Sequence, residues 1–276
     1  MGLRRRGAPL RWDAMPTYLA DILASHRARA EADGRDLGEL VERAARTPAR
    51  RDFAAALRGD GLACIAEIKR RSPSQGELDP TLQPELVAKE YVAGGAACLS
   101  VLTDAEFFGG SPADLAAASQ ASGLPVLRKD FTVGEADVAD ARLMGADAVL
   151  LIVAALDDDE LAACTALAER LGLAALVEVH DGDELGRALA AGSRLVGVNQ
   201  RDLRTFEVDH ERACSLAGRI PADVVAVAES GIRDAADARR LAEAGFDAIL
   251  VGETLVRSGD RTAQLRELVG HRVGVR

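Results

Sequence analysis

The chain has 276 residues, 48% hydrophobic and 28% charged, with a formal net charge of −10. That length and balance exclude disorder as the main state and leave room for one large domain or two small ones. The acidic sign argues against a nucleic-acid partner, and no apolar run approaches the roughly 18 residues of a membrane span.

Residues 1–15 hold three consecutive arginines with no apolar stretch behind them, so they read as a disordered tail rather than a secretory signal. Met1 and Met15 are alternative starts. Residues 16–60 form an N-terminal helical extension in this reading. Helical spacing puts Leu19, Ile22 and Leu23 on one face of a segment over 18–29, shorter helices are expected over 37–45 and 51–57, and Asp33-Gly34 marks a turn. The expectation is that these helices pack on the rest of the chain and close one end of it.

Eight short apolar runs follow, at 62–68, 97–102, 125–127, 147–153, 174–179, 195–198, 223–228 and 247–251. They begin 20 to 35 residues apart, about one strand plus one helix each. Near-continuous apolar strands separated by helices indicate a parallel sheet covered by helices. Eight such units over 61–276 predict an α/β fold, a (β/α)8 TIM barrel, with an open doubly wound sheet as the runner-up. An internal echo supports the repeat. Gly95, Gly145, Gly192 and Gly245 each end a helical stretch and precede an apolar run, where a left-handed residue is wanted.

The four cysteines, at 64, 98, 164 and 214, are too widely spaced for a zinc knuckle or a disulfide framework. They read as reduced thiols in a cytoplasmic protein. Lys69, Lys89 and Lys129 are the only lysines among 34 basic residues, and Asn199 is the only asparagine. Arginine serves for surface charge, but its guanidinium does not exchange a proton near neutral pH. The rare lysines therefore attract attention, and two of the three fall at strand ends.

Barrel chemistry belongs at the C-terminal ends of strands. Strand 1 ends Glu67-Ile68-Lys69, which puts a carboxylate and an ammonium on the same face, ahead of a loop with Ser72 and Ser74. Taken alone, that pair reads first as a structural ion pair at the barrel rim. Phe107 and Phe108 follow strand 2, and strand 3 ends Lys129-Asp130-Phe131. Strand 5 ends Glu178-Val179-His180; an acid inside an apolar strand is costly unless paired or used. Asn199 and Arg201 end strand 6, Glu229-Ser230-Gly231 strand 7, and Gly252-Glu253 strand 8. Glycines after strands 7 and 8, each leading into a helix, suit a phosphate cradle. The four histidines do not cluster in sequence, and neither a Walker A motif nor G-x-G-x-x-G follows a strand. The set is that of acid–base chemistry on a phosphorylated small molecule, with no metal, nucleotide or other cofactor expected.

The string C-I-A-E-I-K-R-R-S-P-S-Q-G, with T-D-x-x-F-F-G-G-S, L-R-K-D-F, L-V-E-V-H, G-V-N-Q-R-D-L, A-E-S-G-I and V-G-E-T-L, resembles the indole-3-glycerol phosphate synthases. The resemblance runs from about residue 15 to the C-terminus. It implies conversion of 1-(2-carboxyphenylamino)-1-deoxyribulose 5-phosphate to indole-3-glycerol phosphate, CO2 and water in tryptophan biosynthesis. It further implies Lys129 as general acid, Lys69 as the partner ammonium and Glu178 as general base, with Glu67, Glu229 and Asn199 orienting. Ser72 and Ser74 would belong to a first loop that closes over the substrate, and Phe108 and Phe131 to the apolar wall. Arg201, Ser230, Gly231, Gly252 and the backbone of Glu253 would hold the phosphate. Some relatives place a serine at position 253, so the Glu253 carboxylate is expected to turn away. Two other readings stand beside this one. The isomerase of the preceding pathway step would want a cysteine where Glu67 and Lys69 stand, and a non-catalytic phosphosugar-binding barrel would not need Lys129 with Glu178. Helix faces leave the oligomeric state open, with a monomer as the default.

Overall fold

Eight parallel strands close into a barrel in the computed structural model, which describes residues 17–72, 76–201 and 207–276. They are β1 (Ala63–Ile68), β2 (Cys98–Leu102), β3 (Val126–Lys129), β4 (Ala148–Ile152), β5 (Ala174–Val179), β6 (Leu195–Asn199), β7 (Val225–Glu229) and β8 (Ala248–Val251). Each pairs with its neighbours in sequence, and β8 pairs with β1, so the open-sheet alternative is excluded. All eight coincide with the expected apolar runs. The expected tail over 1–15 lies outside the described residues.

Side chains alternate through the barrel wall with the two-residue period of a strand. Cys64, Ala66, Leu99, Val101, Val149, Leu151, Val177 and Val196 face outward and pack beneath the surrounding helices. Ile65, Cys98, Leu127, Leu150, Leu176, Val225, Val227 and Leu250 face inward and form a second apolar cluster. Two residues beyond an inward apolar position, the same face carries Glu67, Lys129, Glu178 and Glu229. The pattern that builds the core thus also delivers charge to its mouth.

The glycine echo has a structural basis. Gly95, Gly145, Gly192 and Gly245 all have φ between 84° and 97° and end helices just before strands. The echo extends to two aspartates, each directly before a strand. Asp147 accepts the N–H of Val126, and Asp247 that of Ala226, each in the strand preceding in sequence.

The N-terminal segment wraps the barrel from end to end. Helix α1 (Thr17–Glu31) lies across the C-terminal mouth, where Arg27 reaches Glu160 at 2.8 Å and His26 reaches Asp104 at 3.2 Å. Helix α2 (Leu37–Ala45), capped by Asp36, packs against the barrel helix over Glu135–Met144. Helix α3 (Phe53–Ala56) closes the base: buried Phe53 and Leu57 join the inner cluster, and Arg58 bonds the carbonyl of Asp223 just before β7. Burying each of those two side chains contributes about 1.5–3 kcal/mol.

Candidate active site

A cavity of about 730 Å³ opens at the C-terminal ends of the strands and is lined by Glu67, Lys69, Lys129, Glu178, Asn199 and Glu229 together with both flanking loops. Two ammonium groups face three carboxyl groups. Lys69 Nζ lies 2.7 Å from Glu67 Oε1, a close ion pair. Lys129 Nζ stands farther off, 3.9 Å from Glu178 Oε2. The other oxygen of Glu178 accepts the Asn199 amide at 3.0 Å, and His180 approaches that same oxygen at 3.5 Å.

Two absent side chains make this crowding possible. Gly197 lies beside Glu178 in the β5–β6 register, and a Cβ there would collide with the Glu229 carboxyl. Gly252 follows β8 directly, and a Cβ there would collide with the Glu67 carboxyl and touch Lys69.

The charges settle each other unequally. Burial disfavours the Lys129 ammonium, but Glu178, Glu67 and Glu229 outweigh it and raise the pKa. Burial likewise opposes the Glu67 carboxylate, and Lys69 and Lys129 outweigh it, so that pKa falls. Glu229 goes the other way: burial and the adjacent Glu178 push it well above the ordinary carboxyl range. Its Oε1 is buried with no hydrogen-bond partner. Glu229 therefore holds its proton to higher pH than an ordinary carboxyl does.

Beside this group the loops after β6, β7 and β8 meet. Ser230 has φ 70°, the only positive φ outside glycine among the described residues, and Gly231 repeats it at 70°. Such a conformation in a non-glycine residue costs about 1–3 kcal/mol and marks functional loops. A Cβ on Gly231 would collide with Val208, which bridges back to Arg201. Thr254 Oγ1 donates to the carbonyl of Ile232 at 2.6 Å and ties the last two loops together. The Glu253 carboxylate lies 3.3 Å from Arg257 and 4.0 Å from Arg201. Opposite charge explains its direction, because two guanidinium groups are within reach.

The far wall is apolar. Phe108 and Phe131 stand with ring centroids 6.2 Å apart, and Leu19 and Ile22 of α1 complete the lining. Phe107 and Phe108 belong to a one-turn helix, α4 (Ala105–Phe108), capped by Asp104 rather than to an open loop. Buried His26 bonds Asp104 and comes within 3.8 Å of Asp130. Their ligating atoms lie within 4.8 Å of one another, a grouping the dispersed sequence positions did not reveal. The carboxylates are already engaged: Asp130 takes Thr103, Arg128 and the Phe131 N–H, and Asp104 takes Arg29 and the Phe107 N–H. The cluster is a hydrogen-bonded anchor for α1 in place of a cation site.

The structure thus gathers in one cavity Glu67, Lys69, Ser72, Phe108, Lys129, Phe131, Glu178, Asn199, Arg201, Glu229, Ser230, Gly231, Gly252 and Glu253. Ser74 lies outside the described residues; Ser72 belongs to a short hairpin in which Arg71–Ser72 pairs with Gly76–Glu77. His180 stays behind Glu178, held by Glu184 at 3.0 Å. Arg233, Arg257 and His210 reach the cavity without having been singled out, and so do Leu19 and Ile22, which were marked only as a helix face. The apolar stripe on α1 was legible, but which surface it covers was not.

A family model for indole-3-glycerol phosphate synthase matches residues 19–268. Indole-3-glycerol phosphate synthase 2 of Streptomyces coelicolor is 50% identical over 258 residues, 91% of this chain and 100% of that protein. The indole-3-glycerol phosphate synthase of Micrococcus luteus is 50% identical over 257 residues, covering 91% and 96%. Among solved structures, 3-hexulose-6-phosphate synthase from Salmonella typhimurium aligns at a TM-score of 0.61 and 13% identity, covering 75% of this chain and 96% of that one, a likeness of fold alone.

Proposed function

The chain belongs to the indole-3-glycerol phosphate synthase family, and on that premise we propose how its residues divide the work. The activity is the decarboxylating ring closure of 1-(2-carboxyphenylamino)-1-deoxyribulose 5-phosphate to indole-3-glycerol phosphate, CO2 and water, a lyase step of tryptophan biosynthesis acting on a phosphorylated small molecule.

In our reading Lys129 is the general acid. It donates a proton to the ribulose carbonyl as the aryl carbon attacks, and departure of CO2 restores the ring. The observation that carries this assignment is the contrast between the two lysines. Lys69 is committed to Glu67 at 2.7 Å, whereas Lys129 stands 3.9 Å from the Glu178 carboxylate and can turn toward a substrate. Its raised pKa keeps the proton available at neutral pH. Lys69 then holds the substrate carboxylate, with Glu67 fixing the ammonium.

Glu178 serves as the base of the dehydration, oriented by the Asn199 amide and by His180 behind it. Protonated Glu229 acts as a hydrogen-bond donor to a substrate hydroxyl, a role its raised pKa and unpartnered oxygen support. Phe108, Phe131, Leu19 and Ile22 cover the anthranilate ring, and Ser72 borders it. Arg201, Ser230, Gly231, Gly252 and the Glu253 backbone receive the phosphate. Arg201 exchanges its contact with the Glu253 carboxylate for the phosphate, and Arg257 keeps that carboxylate neutralised.

We read residues 16–60 and 61–276 as one folding unit, because Leu19, Leu23, Phe53 and Leu57 share a cluster with the barrel interior. A cytoplasmic monomer is the accompanying proposal. Cys64, Cys98 and Cys164 are buried thiols, and the exposed large apolar side chains Leu37, Leu86, Val92 and Val275 are scattered in sequence. No described helix is long and apolar enough to cross a membrane.

The direct experiment mixes purified protein with the carboxyphenylamino substrate in EDTA and follows indole fluorescence beside CO2 release. Equal rates of the two signals are expected. Fluorescence that requires an added metal ion or nucleotide would defeat the residue-only division of roles.

A further inference from the structure

His210 lies on the cavity wall, and the roles above do not use it. It opens helix α5 (His210–Ala217), and its Nδ1 is 2.6 Å from Gln200 Oε1. Gln200 is fully buried. Its Nε2 donates to the carbonyl of Ser230 at 2.9 Å and approaches that of Glu229 at 3.4 Å. Its backbone is committed as well: the N–H donates to Glu229, and the carbonyl accepts from Asp209 and Arg212.

The hydrogen-bond directions follow from which groups can donate. Carbonyl oxygens only accept, so the Gln200 amide must present its NH2 to Ser230. That leaves Oε1 facing the imidazole, and the short contact is satisfied only when His210 Nδ1 carries the proton and donates. The other ring nitrogen faces Asp237 Oδ1 at 3.7 Å, and Asp237 in turn holds Arg233 through its N–H and Nε. The ring is therefore clamped from two elements, with its donor aimed at Gln200.

The residue at the end of this relay is Ser230, the one non-glycine with positive φ among the described residues. A left-handed serine relaxes to an extended conformation unless its surroundings hold it. We propose that His210 is a positioning residue for phosphate binding: by donating to Gln200 it locks the amide that holds the Ser230 carbonyl, and so keeps the 230–231 turn in its left-handed form. This rests on the reading that the loops after β7 and β8 receive the phosphate. Without the His210 donor, Gln200 Oε1 is a buried acceptor with no partner, and the amide is free to flip and release Ser230.

The test is a mutant cycle read by kcat, by KM for the substrate and by competitive inhibition with inorganic phosphate. His210→Phe keeps the bulk and removes the donor; it should raise KM and the phosphate inhibition constant by about fivefold to tenfold and leave kcat within about twofold. His210→Asn, whose Nδ2 replaces the lost N–H, should recover most of that loss. Glycine adopts the left-handed form unaided, so in a Ser230→Gly background His210→Phe should change phosphate inhibition by less than about twofold. An unchanged inhibition constant in His210→Phe overturns the proposal. So does an equal loss in both backgrounds, which would mean that His210 touches the phosphate itself. Arg201→Ala separates the premise from the inference. If it leaves phosphate inhibition intact, the phosphate lies elsewhere; if it weakens inhibition while His210→Phe does not, only the relay fails. Should His210→Phe not fold, His210→Ala in the same two backgrounds gives the same reading.

Discussion

The two ends of the barrel use the same kinds of residue to opposite effect. At the base, Asp147 is nearly inaccessible and fully employed: it accepts the N–H of Arg51 at 2.8 Å, the N–H of Val126 at 2.9 Å and the Arg51 guanidinium at 3.0 Å. Asp247 does likewise for Ala226 and Arg276. At the mouth, Glu229 is as deeply buried, yet Oε1 has no partner, Lys129 stands off from Glu178, and Ser230 is held in a left-handed turn. A buried charge that is completely satisfied holds structure. One left incompletely satisfied holds free energy that a substrate can use.

Four substitutions bear on that contrast. Lys129→Ala should lower kcat by about 10²–10⁴-fold while KM changes little, as loss of a general acid does. Lys69→Ala should raise KM more than it lowers kcat. The reverse pattern in steady-state assays would exchange the two lysines' roles.

Asp147→Ala tests the opposite end. Two backbone N–H groups and a guanidinium lose their acceptor, so stability should fall by about 2–4 kcal/mol in chemical denaturation, with kcat of the remaining folded enzyme unchanged. A comparable fall in kcat would mean that the two ends are not functionally separate.

Glu229→Gln is the smallest effect and joins the two themes. A carboxyl whose folded pKa lies above its unfolded value disfavours the native state as pH rises from about 4.3 toward the folded value. The amide removes that penalty. Melting temperature should therefore rise relative to the parent, by about 2–4 °C for each kcal/mol recovered, with a larger gain at pH 7.5 than at pH 5 and with reduced turnover. An equal gain at both pH values would contradict a raised Glu229 pKa.

Much of the site was readable before any coordinates, for a definite reason. Strand period is two, so Glu67 and Lys69 must share a face, and Lys129, Glu178, Asn199 and Glu229 each end a run that the apolar pattern marks as a strand. What stayed hidden came from residues whose periodicity carries no address. His26 and His210 look like isolated histidines, and each finds its partner only through packing between distant elements: Asp104 is 78 residues from His26 in sequence, and Gln200 lies 10 residues before His210 across a loop. Nor does the order of residues mark Arg257 and Arg201 as the partners of the Glu253 carboxylate.

The amino-acid order by itself determined the eight βα units, the strand ends that bear charge and the family resemblance, because these are local patterns repeated along the chain. Only the tertiary structure decided that the strands close into a ring. Closure brings Glu67, Glu178 and Glu229 from three separate strands close enough to influence one another's ionisation. It also sets the N-terminal helices over both ends, with α1 against the cavity and α3 in the base. Distances between residues far apart in sequence are set by the whole packing arrangement, and the chemistry of a buried carboxyl depends on those distances.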